Sequence, residues 1–195
     1  MSPISFEPSD VKNPRGAPYA SPVPESFWLT RALLFDFDWV VQDSQNSDFS
    51  RAEYPDSTPL EALRNCFQKL RSYEIRLALT SNHRQSEVIP ELAKMGLSAD
   101  FDNIRCFEDV KENKPSPEMH LLSLDMLGIK PVRAAAFETS TEGVKAAKAA
   151  GIFCVSLGPE DEGANMALTS IIDVPLVRVL ENIDRMKRAL LLKNL

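Results

Sequence analysis

Apolar positions follow two alternating patterns along the chain. Short runs of consecutive apolar residues predict buried strands, and between them apolar residues recur every three or four positions, which predicts amphipathic helices. The predicted strands cover residues 32–37, 74–80, 104–107, 133–137, 152–157 and 171–174, and the predicted helices cover 58–72, 85–95, 117–127, 141–150 and 177–192. Residues 1–26 fit neither pattern, because their six prolines disfavour helices and interrupt sheet hydrogen bonding.

The alternation of strands with helices predicts the fold class. Parallel strands need crossover connections, which helices supply, and both faces of the resulting sheet become covered. We therefore expect an α/β domain over residues 27–195, with three layers built on a parallel sheet, preceded by a proline-rich arm at residues 1–26. Helix-end residues agree with these boundaries: Thr58 is a predicted N-cap before Pro59, and glycines follow three other helices at positions 96, 128 and 151.

Composition and charge narrow the classes of function. The 44% of hydrophobic residues suffice for a core, and the formal net charge of −6 argues against a nucleic-acid or anionic-membrane binder. Cys66, Cys106 and Cys154 form no CxxC or Cys/His cluster, which is typical of buried thiols in a reducing compartment. No segment has the length of a membrane span and the first residues lack a signal-peptide pattern, so we expect a cytoplasmic protein. The sequence does not indicate its oligomeric state.

Polar residues follow the predicted strands at the point where each strand ends. Because the carboxyl ends of parallel strands meet at one edge of the sheet, ligand sites form there. We expect the following residues at that edge: Asp36 and Asp38 after the first strand, Thr80, Ser81 and Asn82 after the second, Lys114 in the loop before the third helix, and Glu138 and Thr139 after the fourth strand.

This set of residues suits phosphoryl transfer through an aspartyl intermediate. Asp36 is the candidate nucleophile, and Asp38, two residues on, is the candidate general acid and base. Ser81 and Asn82, with nearby backbone amides, are candidates to hold phosphate oxygens, and Lys114 would neutralise charge on the nucleophile and the phosphoryl group. Magnesium takes one or two carboxylates and keeps several waters, so Asp36 and Asp38 would let it bridge enzyme and phosphate.

Four segments of the chain carry a resemblance to a known family. They are FDFDWVVQDS with Asp36 and Asp38, LALTSN with Ser81, KPSPEMHLLSLDMLGI with Lys114, and AAFETSTEGVKAAKAAGIFCVSLG with Glu138 and Thr139. In this order and spacing the chain resembles the haloacid dehalogenase (HAD) superfamily over most of residues 31–175. The resemblance implies a Rossmann-like core and, for most members, magnesium-dependent phosphatase activity, here on a phosphorylated small molecule or macromolecule.

One departure from the family pattern concerns the metal. Where close relatives carry an Asp that helps to bind magnesium, this chain has Thr139. Loss of a carboxylate weakens a magnesium site, because this ion takes few protein ligands. The side chains of Glu138 and Glu142 are long enough to compensate, although neither aligns with the missing ligand. The expected ligands of Mg²⁺ are therefore Asp36, Asp38 and Glu138, and the sequence leaves open whether the ion still binds.

Two residues near the aspartates are candidates for substrate contact. Trp39 stands where the family commonly has Gly, and its ring either packs against the helices or lines a pocket for an apolar substrate. The sequence does not decide between these two interpretations. His83 follows the second motif and is the better substrate-contact candidate of the two histidines, because His120 lies within a predicted helix, where it packs or faces solvent.

The interval between the first two motifs is short. Many family members insert a helical cap domain there, but in this chain only about residues 42–56 lie outside the predicted elements. This length is too small for an independent cap, so we expect an essentially capless, open site. Such a site suits a large substrate, or one that a partner, a second subunit or the proline-rich arm covers.

Three functions remain open on the sequence alone. The leading interpretation is a HAD-like hydrolase that removes phosphate by way of Asp36. The second, which Thr139 and Trp39 motivate, is a non-catalytic relative that keeps the fold for binding or scaffolding. The third is a metal-independent enzyme that directs its two aspartates at an apolar, non-phosphorylated organic substrate.

Overall fold

The computed structural model describes residues 4–5, 29–45, 54, 56–157, 163–171 and 176–193. The strands are β1 (Ile4–Ser5), β2 (Ala32–Asp36), β3 (Arg76–Thr80), β4 (Asn103–Arg105), β5 (Ala134–Glu138), β6 (Phe153–Leu157) and β7 (Met166–Leu168). The helices are α1 (Phe37–Gln45), α2 (Pro59–Ser72), α3 (Gln85–Met95), α4 (Glu118–Leu127), α5 (Thr141–Ala149) and α6 (Leu176–Lys193). Apart from β1, the predicted arm at residues 1–26 lies outside the described residues.

The described strands form one parallel sheet in the order β1-β7-β6-β5-β2-β3-β4. Strand β2 is central, with β3 on one side and β5 on the other. The chain therefore moves outward from β2 through β3 to β4, and then returns to the other side of β2 with β5. This reversal of direction beside β2 is the place where open α/β sheets bind their ligands.

Residues of β2 alternate between the two layers of helices. Leu33 and Phe35 belong to a core that also contains residues of α2, α3 and α6, whereas Ala32 and Leu34 belong to a second core with residues of α4 and α5. All five residues of β2 are buried. Because both faces of the sheet are covered, the predicted three-layer α/β fold is confirmed.

Most predicted elements are present within two residues of their predicted ends. The first strand described after β6 is β7, Met166–Leu168, which was not predicted. Of the strand predicted at residues 171–174, Ile171 lies outside any strand, and residues 172–174 lie outside the described part of the chain. Met166 pairs on one side with Val155 and on the other with Ile4, so this shorter run extends the sheet toward β1.

Helix α1 was not predicted, although it begins directly at the candidate site. Its residues Phe37, Val40 and Ser44 are buried at helical spacing. Elsewhere the predicted helix ends are confirmed. Thr58 caps α2 in a reciprocal capping box with Glu61. The three glycines at positions 96, 128 and 151 adopt left-handed backbone conformations at or just after the ends of their helices.

A buried polar cluster joins α6 to the amino end of β2. The carboxylate of Asp184 accepts hydrogen bonds from the backbone N–H groups of Leu29 and Thr30 and from the Thr30 hydroxyl, at 2.6, 3.0 and 2.6 Å. The ammonium of Lys187 donates to the Thr30 hydroxyl at 3.0 Å. These bonds satisfy the backbone that leads into the central strand.

Among the described helices, none is both long enough and apolar enough to cross a bilayer.

Candidate active site

Asp36 ends β2 and lies between the two neighbouring strands at the carboxyl edge of the sheet. It is in register with Thr80 of β3, and Glu138 of β5 follows directly after the residue paired with Phe35. The Asp36 side chain is almost fully buried, and each of its oxygens accepts a hydrogen bond. Oδ1 accepts from the Lys114 ammonium at 2.8 Å, and Oδ2 accepts from the Thr139 hydroxyl at 2.7 Å.

Lys114 reaches the site from the loop before α4. Asn82, just after β3, holds this loop with two hydrogen bonds: its amide accepts from the Lys114 backbone N–H at 3.1 Å and donates to the Lys114 carbonyl at 3.3 Å. The structure therefore places Asn82 as a support for the lysine loop. The Lys114 ammonium donates to Glu138 as well as to Asp36, at 2.8 and 3.1 Å to the two Glu138 oxygens.

Glu138 is fully buried beneath the site, and His120 of α4 contacts it. The distance from His120 Nε2 to Glu138 Oε1 is 2.7 Å, and His120 is also fully buried. Sequence reasoning placed His120 in a helix and gave it no role at the site. Helical periodicity could have predicted that His120 lies on the buried face of α4 with Met119 and Ser123. The sequence pattern could not have predicted that the Glu138 carboxylate lies opposite it.

Burial and charge act in opposite directions on the ionisable groups of this cluster. Burial raises the pKa of the Asp36 carboxyl above its usual range, although Lys114 opposes the shift. Burial acts to lower the pKa of Lys114, but the charges of Glu138 and Asp36 outweigh it and raise that pKa instead. Burial acts to raise the pKa of Glu138, but the Lys114 charge and the His120 hydrogen bond hold it below its usual range. Lys114 is therefore a permanent cation beside the Asp36 carboxyl.

His83 and Asp38 form the exposed side of the site, and Ser81 lies close to His83 in sequence and in space. Ser81 follows the register partner of Asp36 and is buried, and its hydroxyl oxygen accepts from the His83 backbone N–H at 3.0 Å. This bond leaves the hydroxyl hydrogen of Ser81 to donate to a ligand oxygen. His83 Nε2 lies 2.9 Å from Asp38 Oδ1, and both side chains are substantially exposed. His83 therefore contacts the candidate acid–base residue directly.

Trp39 lies in the core and not at the surface of the site. Its side chain has no exposed area, and its ring stacks on Phe35 with a centroid distance of 5.0 Å and an interplanar angle of 22°. Phe137 packs against the same pair of rings. Of the two interpretations of Trp39, packing agrees with this position. A ring without exposed area is not placed to line a pocket that is open to solvent.

The three carboxylates expected to hold magnesium do not converge. Asp38 is turned outward to His83, and both oxygens of Glu138 are engaged below the site by Lys114 and His120. Among the described residues, no group of three His, Cys, Asp or Glu side chains is arranged to hold a metal ion. Two hard oxygens lie side by side 2.7 Å apart, Asp36 Oδ2 and the Thr139 hydroxyl. This pair suits an ion that also binds a substrate phosphate, but not a resident ion.

Two known proteins with similar sequences have names that refer to phosphorylated compounds. A phosphorylated carbohydrates phosphatase from Thermotoga maritima is 38% identical over 90 residues, which is 46% of this chain and 42% of that protein. The β-phosphoglucomutase of Bacillus subtilis is 29% identical over 110 residues, or 55% of this chain and 48% of that protein. The chain thus spans about half the length of the curated relatives that it matches.

A solved structure agrees with the fold. The crystal structure of β-phosphoglucomutase from Clostridium difficile superposes with a TM-score of 0.62 at 17% identity, over 80% of this chain and 98% of that one. In sequence, residues 45–157 match the family model described as haloacid dehalogenase-like hydrolase. The match begins after Asp36 and Asp38, so the first motif is supported here by its geometry. Because the match covers more than half of the chain, the protein belongs to the haloacid dehalogenase-like hydrolase family.

Proposed function

We propose that this protein is a phosphatase that removes phosphate from a phosphorylated small molecule through an aspartyl-phosphate on Asp36. The observation that carries the proposal is the 2.8 Å contact between Lys114 Nζ and Asp36 Oδ1 inside a buried site. A carboxylate that is nearly shielded from water and fixed beside a permanent cation is prepared to attack an electron-poor centre. The family and the named activities of the relatives support the same chemistry.

The proposed reaction has two displacements at phosphorus. Asp36 attacks the phosphorus atom, and the bond to the leaving oxygen breaks as that oxygen takes a proton from Asp38. Water then attacks the same phosphorus atom and gives a proton back to Asp38. This attack breaks the bond between Asp36 and phosphorus and releases phosphate. Lys114 offsets charge on Asp36, and Ser81 donates its hydroxyl hydrogen to a phosphoryl oxygen. We assign His83 to orient Asp38, because the two side chains are in contact.

Magnesium belongs to this proposal as an ion that binds together with the substrate. Asp36 and Thr139 would hold it through neighbouring oxygens, and we do not assign Glu138 as a ligand in this proposal, because its two oxygens already accept from Lys114 and one also contacts His120. When bound, magnesium would offset negative charge on the phosphoryl group. With a hydroxyl in place of one carboxylate, we expect the enzyme to need a high magnesium concentration.

The test of the proposal is phosphate release from a panel of sugar phosphates with magnesium present. We expect turnover by the wild-type protein and a loss of at least about 10⁴-fold in Asp36→Asn, which keeps the side-chain volume but removes the nucleophile. Asp102→Asn is a matched control. Asp102 precedes β4, and its carboxylate accepts a hydrogen bond from the Leu77 backbone N–H near the start of β3, away from the site. Absence of phosphate release across the panel by a folded protein would argue for the non-catalytic alternative.

A metal-independent reaction at a carbon centre is the second candidate. The observation in its favour is that Lys114 and Thr139 already donate to both oxygens of Asp36, so the carboxylate is stabilised without an ion. The two candidates differ in the bond that water attacks. Turnover in water labelled with heavy oxygen should label the released phosphate in the phosphatase reaction. In the alternative the label would enter the Asp36 carboxylate, and activity would survive a chelator.

A further inference from the structure

His120 and Lys114 contact the same carboxylate from one segment of chain. Lys114 lies in the loop before α4, and His120 lies in the first turn of that helix. His120 Nε2 is 2.7 Å from Glu138 Oε1, and Lys114 Nζ is 2.8 Å from Glu138 Oε2. Both Glu138 oxygens already accept from Lys114, and a carboxylate only accepts, so His120 Nε2 carries the proton and donates.

A glycine of α5 confines the Glu138 carboxylate on another side. A Cβ atom at Gly143 would lie 2.0 Å from Glu138 Oε2, so only a residue without a side chain fits at this helix position. Ser140 fixes the same turn, because its hydroxyl accepts from the Gly143 backbone N–H at 3.1 Å. Glu138 is thus held by the lysine, by the histidine and by a closely approaching backbone. It has no exposed surface through which water could replace a lost donor.

These contacts make a continuous chain from α4 to the nucleophile. It runs from His120 to Glu138, from Glu138 to Lys114, and from Lys114 to Asp36, with every link at 2.8 Å or less. Within the described residues, the other ring nitrogen of His120 has no hydrogen-bond partner, so the hydrogen bonding of this ring is directed at Glu138. A histidine that merely filled space in the core would not need a buried carboxylate as its partner.

We propose that His120 is a positioning residue that, through Glu138, fixes the Lys114 ammonium against Asp36. The expected effect of His120 on phosphate release rests on the proposed phosphatase function, but its expected effect on the position of the Lys114 ammonium does not. Without the His120 donor, the Glu138 carboxylate loses one of the bonds that set its orientation, and Lys114 loses a fixed partner. Because preorganised charge is worth most when it needs no rearrangement, the ammonium would then offset charge on Asp36 less well.

The first measurement follows the Lys114 ammonium without any substrate. A buried, hydrogen-bonded lysine ammonium exchanges its protons slowly enough to give a proton–nitrogen correlation in an NMR spectrum, whereas exposed lysines do not. We expect this signal, assigned by its loss in Lys114→Arg, in the wild-type protein, and we expect it to disappear in His120→Phe. In His120→Gln, which keeps an N–H donor at a similar reach, the signal should return.

Two controls separate positioning from general damage to the core. Met119→Leu changes a fully buried neighbour on the same helix and should leave the Lys114 signal unchanged. The second buried lysine, Lys187, lies at the other end of the sheet, and below its pKa of about 8 its own ammonium signal should persist in every variant. If His120→Phe does not fold, Glu138→Gln takes its place, since it removes the charge that links the histidine to the lysine. An unchanged Lys114 signal in a folded His120→Phe or Glu138→Gln protein overturns the proposal.

The kinetic measurement then tests the consequence for catalysis. We expect His120→Phe to lower kcat by about 10- to 100-fold, as is usual when a residue that orients a reacting group is lost, with KM little changed. His120→Gln should recover most of kcat, and a folded His120→Gln no better than His120→Phe contradicts the proposal. If the wild-type protein releases no phosphate but the Lys114 signal responds as described, the positioning role stands and the phosphatase function fails.

Discussion

Lys114 and Lys187 are both buried lysines, but they lie at opposite ends of the central strand and have opposite electrostatic surroundings. Lys114 contacts Asp36 at the carboxyl end of β2, and Lys187 contacts Thr30 before its amino end. Asp36 follows Thr30 by six positions, which corresponds to about 20 Å of extended chain. Lys114 lies within 2.8 Å of two carboxylates, whereas no described carboxylate lies within ion-pair distance of Lys187.

The partners account for the opposite shifts of the two pKa values. Burial lowers the pKa of Lys187 to about 8, because the charge of Asp184 only partly opposes it. At Lys114 the same effect of burial is outweighed by Glu138 and Asp36, and the pKa rises. Burial alone therefore does not make a lysine a functional cation. What distinguishes Lys114, the lysine of the candidate site, is its contact with two carboxylates at the ends of adjacent strands.

The largest expected effect comes from replacing Lys114 by methionine. Lys114→Met should destabilise the protein by about 3–5 kcal/mol, because Asp36 and Glu138 would remain buried without their shared cation. The same replacement should reduce phosphate release at least about 10³-fold. Urea unfolding of Lys114→Met and of Lys187→Met, each compared with the wild-type protein, measures how differently the two replacements change the free energy of unfolding. Equal effects of the two replacements on the free energy of unfolding would remove the basis for the comparison.

A second experiment disturbs Glu138 without changing any charged residue. Gly143→Ala adds a methyl group 2.0 Å from Glu138 Oε2, so we expect a loss of about 1–3 kcal/mol from overpacking. The sign is informative, because Gly→Ala within a helix ordinarily stabilises by roughly 0.5–1 kcal/mol. Adding Glu138→Ala on the Gly143→Ala background should show strong coupling between the two sites in a double-mutant cycle. Additive effects would mean that the carboxylate and the glycine do not meet.

Lys187→Met should stabilise the protein at neutral pH, by about 1–2 kcal/mol. The folded-state pKa of about 8 lies below the ordinary value of 10.5, so below pH 8 the folded protein bears the cost of a buried charge. That cost fades as the lysine loses its proton with rising pH, and it is absent above both values. Thermal or urea unfolding at several pH values should therefore show a gain that shrinks between pH 8 and 10.5. A gain independent of pH would contradict this assignment.

The smallest expected change in free energy is that of magnesium binding when Thr139 is replaced by a carboxylate. Thr139→Asp places a third carboxylate beside Asp36 and Lys114, and it should lower the magnesium concentration for half-maximal activity by about tenfold or more, which corresponds to about 1.4 kcal/mol. Thr139→Asn, similar in size but uncharged, is the matched control. A magnesium requirement that is identical in all three proteins would place the ion away from Thr139.

The position of the site was predictable because it depends on topology. Once strands alternate with helices, the residues that end the strands must share an edge, and Asp36 and Lys114 do meet there. The helix ends were equally predictable, since Thr58 and the glycines act through local backbone geometry. Strand β7 was missed because a run of three residues gives too short a pattern to compete with its neighbours.

Side-chain partners were the part that the sequence did not specify. Glu138 was expected to compensate for a missing metal ligand, yet in the structure its oxygens face Lys114 and His120. Which way a strand-end carboxylate turns depends on the space beside it, here the gap at Gly143. Trp39 similarly adjoins the aspartates in sequence, but helix α1 turns its ring into the core. Both outcomes depend on packing between elements distant in sequence.

The account rests on Asp36 as the group that becomes phosphorylated, and one measurement tests this without knowledge of the substrate. Beryllium fluoride with magnesium mimics a phosphoryl group on an aspartate, so it should raise the melting temperature of the wild-type protein by about a few degrees, as tight binding to the folded state requires. The melting temperature of Asp36→Asn should not change. A shift of equal size in both proteins, or no shift in either, would contradict the proposed role of Asp36.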